Sequence, residues 1–448
     1  MKTNRFLIYG CTLWFLFSCQ KDDGVEPNDT TSAENELSET IVSLFGSLEA
    51  LTLPNSSDYL DIPSDANNPI TAEKVALGQF LFHETELGIV PRSDIGTTTY
   101  ACASCHHAKA GFQSGMLQGI GEGGVGFGIL GEARTADPAY NQADIDVQPI
   151  RSPTILNTAY QDVMLWNGQF GATGTNSGTE ANWTPGTPKE RNNLGFQGVE
   201  IQAIAGMGVH RLDVSPDLVE NGPYRELFDA AFPNVPEANR YSLINAGLAI
   251  AAFERTVLAN EAPFQLFLKG QSGQLDTDEL AGGLLFFGKG KCFECHSGPG
   301  LNGMSFHALG MDDFPEGSII GTVDDATRRG RGGFTDNPED DYAFKTPTLY
   351  NLRELEFFGH GGSFNGVREV IAYKNLAERQ NNSVPVERLA AQFVPLELTD
   401  TEIDQLTKFV ENALFDPNLQ RYQPTATPMG TSCFPNADSQ SILDQDCD

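Results

Sequence analysis

The sequence predicts a mainly α chain built in two halves, its helices joined by long glycine-rich loops. Three observations predict it. Apolar residues recur at helical spacing behind capping residues, as in Ile403, Leu406, Phe409, Val410 and Leu414 after Thr399-Asp400-Thr401-Glu402. Strand signals are sparse. A pattern also occurs twice: Lys74 to Phe82 (KVALGQFLF) and Leu280 to Phe287 (LAGGLLFF) each precede a Cys-x-x-Cys-His motif.

Taken in order, the chain opens with Lys2 and Arg5 ahead of an apolar run from Phe6 to Phe17. That run is too short for an ordinary membrane span and has the shape of a secretory signal. It ends Leu16-Phe17-Ser18-Cys19, which resembles a bacterial lipoprotein processing site. Residues 1–19 are therefore expected to be a signal peptide ending at a lipidated Cys19, which makes the mature protein exported and lipid-anchored at the cell envelope. Residues 20–68 are polar and acidic and are expected to be a tether carrying one short helix. Residues 69–269 form the first half, with a helix through Tyr241 to Ala259 and glycine-rich stretches at 115–131 and 168–186. Residues 270–415 form the second half. Asp276-Thr277-Asp278-Glu279 starts one of its helices, with acids at the cap and in the first turn. Residues 416–448 are a tail in which Cys433 and Cys447 are expected to pair, because an exported chain meets an oxidising environment.

The 60 acidic against 28 basic residues give a formal charge of −32. That argues against nucleic acid, whose phosphates would be repelled, and favours a basic partner or a small neutral substrate.

The chemistry lies in the repeated motif, Cys102, Cys105 and His106 in one place and Cys292, Cys295 and His296 in the other. Two thiols at this spacing reach the two vinyl groups of one haem, and the adjacent His then meets the iron. A zinc site would need a second ligand pair beside each motif. The expectation is two covalently bound haems c in two cytochrome c-like haem domains, with His106 and His296 as iron ligands.

Around these motifs the chain resembles the bacterial di-haem cytochrome c peroxidases, a family that also contains the enzyme that matures methylamine dehydrogenase. The resemblance runs from about Pro69 to Phe415. It rests on LGQFLFHETEL (77–87), ACASCH (101–106), IRSPTILNTAY (150–160), LWNGQF (165–170), KCFECHSGPGL (291–301), FKTPTLYNL (344–352) and GHGGSFNGVREVIAY (359–373). It implies a peroxidatic first haem and an electron-transfer second haem. It also implies that Trp166 lies between the haems and that Gln202 lines the peroxide side of the first.

Three positions depart from the family. Where the classical peroxidases of the family have a histidine that blocks the first iron, seventeen residues after the second haem cysteine, this chain has Glu122. A carboxylate is a poorer ligand for haem iron, so the first iron is expected to be open, or Glu122 instead to handle protons. The family's catalytic glutamate falls on Leu212, with His210, Arg211 and Asp213 as neighbouring substitutes. The methionine ligand of the second haem, fourteen residues after the histidine matched by His360, falls on Lys374, with Tyr373 before it. The maturation enzyme uses tyrosine here, which ranks Tyr373 ahead of Lys374, with Met304, Met311 or His307 as alternatives. The family also holds calcium between its haems; at the asparagine position after Arg151 stands Ser152, which weakens that ligand.

The expected activity is reduction of hydrogen peroxide to water with electrons from a small donor protein such as a c-type cytochrome, catalysed through Glu122, Gln202 and Trp166. The alternatives are a di-haem oxidase that modifies a protein side chain, as the maturation enzyme does, and a pure electron carrier.

Overall fold

In each half, a helix precedes the Cys-x-x-Cys-His turn in the chain and is crossed by a partner at a glycine. Ala72–His83 starts on the Thr71 side chain, which accepts from the Lys74 amide, and packs on Leu243–Thr256. At the crossing a Cβ on Gly78 would collide with the Ala249 carbonyl. In the second half, Thr277–Phe287 begins at the helix start that the sequence predicts, where Asp276 and Glu279 form a capping box, and packs on Asp400–Lys408. There a Cβ on Gly282 would collide with the Gln405 carbonyl. The repeated sequence pattern thus encodes one repeated crossing, in which glycine lets two backbones approach.

The computed structural model describes residues 27–220 and 222–447. The signal run and Cys19 lie outside them. The described chain is helix-rich; its strands are two antiparallel pairs, Gly124–Val125 with Thr135–Ala136 and Phe306–His307 with Phe344–Lys345. Among the described residues no helix is long and apolar enough to cross a membrane. A third helix of the first half, Gly198–Val209, packs on the other side of Leu243–Thr256. In the second half, Val367–Leu376 packs on Asp400–Lys408. One continuous apolar cluster joins the halves, from Leu37 to Tyr422. Gly270, the expected division, sits in an exposed turn.

One expectation needs correction. The segment expected to be a tether folds from Pro27: Pro27–Phe45 is a 19-residue helix lying on Thr277–Phe287. Leu37 and Ile41, four residues apart on one face, are fully buried, and Phe45 meets Phe287 edge-on at 6.1 Å. Leu51, Leu53 and Ile62 continue the burial. The acidic composition hides a narrow apolar stripe. The 416–448 tail is docked on the rest of the molecule. It carries the Cys433–Cys447 disulfide and returns to the first half, where Ser432 donates to Glu84 at 2.9 Å and Asp438 pairs with buried Arg134 at 3.3 Å.

Candidate functional site

Both motifs fold as the same tight turn. The His106 amide donates to the Cys102 carbonyl at 3.1 Å, and the His296 amide to the Cys292 carbonyl at 2.9 Å. This lays the two cysteines and the histidine of each motif along one wall of a cavity. His106 Nδ1 lies 3.3 Å from the Phe112 carbonyl; His296 Nδ1 lies 3.1 Å from those of Leu301 and Pro347. A ring nitrogen donating to a carbonyl leaves Nε2 as the lone-pair atom, the form a metal ligand needs. Burial pulls both imidazoles down to about 4, so each is neutral at pH 7. Burial also pushes the thiols of Cys102, Cys105 and Cys292 up to about 12, away from the acidified thiolates of metal and redox sites.

These walls fit haem. Each cavity pairs two thiols with a neutral imidazole inside a largely apolar lining. The wall they share carries Arg151, Met164, Leu165, Trp166 and Phe344. Arg151 is buried there, and its guanidinium donates to the carbonyls of Ser114, Met116 and Leu117 rather than to a carboxylate. Lys345, in the second cavity, donates to Gln161, and burial pulls its amine down to about 7. Buried cations without a bonded anion are costly, and the two propionates of a haem would offset that cost. Among the described residues no three His, Cys, Asp or Glu side chains converge, so a calcium ion here would rest on backbone and amide oxygens.

Trp166 lines both cavities, its indole N–H donating to the Arg151 carbonyl at 2.9 Å and its ring edge-on to His360 at 6.5 Å. His360 stacks on Phe344 at 3.7 Å. His83 is buried with Nδ1 at 2.8 Å from the Gln79 carbonyl, and His107 is buried against Phe127; neither lines a cavity.

The far wall of the first cavity comes from Gly198–Val209 and its cap. Gln202, Gly206 and His210, at i, i+4 and i+8, share one face and line the cavity. Gln202 Oε1 is buried without a hydrogen-bond partner. His210 Nδ1 meets Asp146 Oδ2 at 2.7 Å; Asp146 is 4% exposed, whereas the His210 side chain is 38% exposed because it opens into the cavity. Burial alone would lower the His210 imidazole, but the Asp146 charge and hydrogen bond outweigh it and the net direction is up. Leu212, where the family's glutamate is expected, lines the same cavity.

Glu122 is not there. It is fully buried outside the lining, where its carboxylate accepts from the amides of Arg92 at 2.5 Å and Ser93 at 3.2 Å, from the Tyr140 hydroxyl at 3.0 Å and from Arg211. The catalytic expectation for Glu122 is corrected. Four donors hold this carboxylate as a brace for the loop that carries it, and they leave no free oxygen facing the cavity.

In the second cavity the far wall is Val367–Leu376, with Val367, Val370, Ile371 and Lys374 in the lining. Tyr373 lies outside it. Its hydroxyl donates to the Leu309 carbonyl at 2.5 Å, and burial pushes the phenol up to about 12. The ranking of Tyr373 ahead of Lys374 is therefore reversed: in a helix, adjacent residues point about 100° apart, and here it is Lys374 that faces in. Burial lowers the Lys374 amine toward the neutral form, which has a lone pair to donate. Met311 and His307 also line this cavity, with His307 Nε2 2.8 Å from Ser305 Oγ; Met304 does not.

Sequence reasoning passed over Asp146, Lys345 and Glu254. Glu254 lines the first cavity with Oε2 unpartnered and is raised to about 8 by burial. The Gln202–Gly206–His210 spacing was the one readable signal of the polar wall.

The sequence pattern of the di-haem cytochrome c peroxidase family matches residues 72–273. The cytochrome-c peroxidase IdrP1 of Denitromonas iodatirespirans is 28% identical over 395 residues, covering 82% of this chain and 90% of its own. The methylamine utilization protein MauG of Methylorubrum extorquens is 27% identical over 360 residues, covering 80% and 82%. The crystal structure of a MauG-like protein associated with microbial copper homeostasis shares the fold, with a TM-score of 0.54 at 23% identity over 82% of this chain and 95% of that one. With paired Cys-x-x-Cys-His turns, a tryptophan on their common wall and relatives spanning both halves, the chain is similar to the di-haem cytochrome c peroxidases.

Proposed function

We propose that this protein reduces hydrogen peroxide to water with electrons from a small donor protein such as a c-type cytochrome. The observation that carries the reading is the asymmetry of the two far walls. The first cavity presents polar groups beside a glycine gap, among them Gln202 and His210. The second presents aliphatic side chains and one amine. Relatives named cytochrome-c peroxidase support the same activity.

Each half carries one haem, attached through Cys102 and Cys105 or through Cys292 and Cys295, with His106 and His296 as the proximal ligands. Bound there, haem supplies the redox chemistry that splits the O–O bond. The chain's own groups do the rest. Gln202 orients peroxide through its side-chain amide, Arg151 and Lys345 hold the propionates, and Trp166 bridges the two sites. Lys374 completes the second site, which makes that haem an electron carrier. Export, with a lipid on Cys19, belongs to the same proposal and rests on the N-terminal sequence. The protein-modifying alternative drew its support from an oxygen ligand at Tyr373, a hydroxyl already held by Leu309.

The test is turnover of peroxide with reduced cytochrome c, started from the fully oxidised protein. Steady oxidation of the donor is expected. A Soret band indifferent to peroxide would defeat the proposal, and so would a long-lived oxidised state that ignores donors.

A further inference from the structure

We propose that His210, oriented by Asp146, is the acid–base group of the first cavity, a catalytic role that this chain moves from the family's glutamate position to the histidine two residues before it. The inference deepens the peroxidase reading and rests on it for the identity of the substrate.

Geometry carries the assignment. At position 212, where a carboxylate would be expected, the cavity meets the apolar side chain of Leu212. Glu122, the other carboxylate suggested by spacing, is closed off by its four donors. His210 and Gln202 stand two turns apart on one helix face with Gly206 between them. A Cβ at 206 would lie 3.5 Å from Gln202 Nε2 and 4.0 Å from His210 Cδ2, so the missing side chain leaves a gap flanked by two polar groups. The imidazole is fixed on its other edge. Asp146 accepts from Nδ1 at 2.7 Å, and Asp146 is itself held: its carbonyl accepts from Gly121 at 3.0 Å, its amide donates to the Glu122 carbonyl at 2.9 Å, and Arg211 lies 4.0 Å from its carboxylate. A ring anchored through Nδ1 presents Nε2 to the cavity, and Nε2 has no hydrogen-bond partner among the described residues. A carboxylate behind an imidazole fixes its tautomer and stabilises its protonated form.

The proton inventory closes. Nε2 takes the proton from the inner oxygen of hydrogen peroxide and returns it to the outer oxygen. The O–O bond breaks with its electron pair leaving on the outer oxygen, which departs as water. The inner oxygen becomes a second water with two protons from solvent and two electrons delivered from the reduced donor protein. His210 ends as it began, and Asp146 acts only through it, as a positioning residue.

The experiment uses the full-length, haem-loaded ferric protein with two probes, hydrogen peroxide and cyanide. Hydrogen cyanide must lose its proton to bind, so its association rate reads the base without any turnover. His210→Gln is expected to slow both reactions by about a hundredfold or more with the ferric spectrum unchanged. Asp146→Asn, which removes the charge behind the ring, is expected to slow both by about tenfold. If His210→Gln instead turns a low-spin haem high-spin and speeds both reactions, His210 is an iron ligand and the proposal falls. It also falls if both variants keep wild-type rates. Slower cyanide binding in a protein that does not turn over a donor would sink the peroxidase reading alone and leave His210 as the base.

Discussion

The two cavities begin from one local design and diverge on the side the motif does not reach. The Cys102–His106 and Cys292–His296 turns have the same internal hydrogen bond, the same carbonyl anchoring of Nδ1 and the same glycine crossing behind them. The far walls share nothing. Gly198–Val209 offers Gln202 and His210 to the first, whereas Val367–Leu376 offers valines, an isoleucine and Lys374 to the second. Five contiguous residues thus set where a haem is held, and a helix much later in the chain sets what its open side can do. One turn repeated in a chain can therefore serve two purposes.

The largest effect that would break this comparison comes from removing the shared element. His106→Ala is expected to abolish peroxide consumption, a loss of at least about a thousandfold, because the iron of the first haem would lose its proximal ligand. His296→Ala should keep a rapid first reaction with peroxide and lose steady turnover with the donor. Stopped-flow absorbance separates the two. If both variants lose the first reaction equally, the cavities do not divide the work.

Next comes the second far wall. Lys374→Ala is expected to change the spectrum of the second haem from low-spin to high-spin and leave cyanide binding at the first untouched. Tyr373→Phe should leave the spectrum as it is, since its hydroxyl serves Leu309. Lys374→Met should raise the potential of that haem, thioether ligation being the high-potential choice. A spectrum that responds to Tyr373→Phe and ignores Lys374→Ala would restore the ranking read from the sequence.

The contrast also explains what was legible beforehand. The motifs, the helix start at Asp276, the capping box at Thr399 and the apolar helix faces are local patterns and read directly from spacing. The far walls are tertiary. Position alone selected Glu122, but its function is set by Arg92, Ser93, Tyr140 and Arg211, which arrive from three other segments. Tyr373 and Lys374 are neighbours in sequence, and only the rotation of their helix decides which one enters the cavity. The Pro27–Phe45 helix was obscured differently: Leu37 and Ile41 form too narrow a stripe to stand out among acids.

A medium effect sharpens the reading of Glu122. Glu122→Gln removes the charge opposite Arg211 in a fully buried site, and breaking such a pair costs about 3 kcal/mol. The expected result is a clearly lower melting temperature with the peroxide rate of the folded fraction within a few-fold of wild type. A hundredfold slower reaction at unchanged stability would return Glu122 to the mechanism.

The smallest effect concerns the end of the tail, residues 432–447, whose contacts go to the first half. Cys433 and Cys447 close a loop of sequence separation 14, for which chain entropy gives about 3 kcal/mol. That stabilisation is local, because what the loop holds is local: Asp438 on Arg134, and Asp444 accepting from the Phe127 amide at 2.9 Å. Arg134 in turn donates to the carbonyls of Ile120 and Gly121, both at 2.6 Å, and Gly121 donates to the Asp146 carbonyl. Replacing both cysteines by serine should therefore speed hydrogen exchange across the tail and residues 120–127 and soften the His210 side by a few-fold in cyanide association. The second haem's spectrum should not move. An equal response at both haems would mean that the tail stabilises the whole core rather than the polar wall, and the independence of the two far sides would fail at its weakest link.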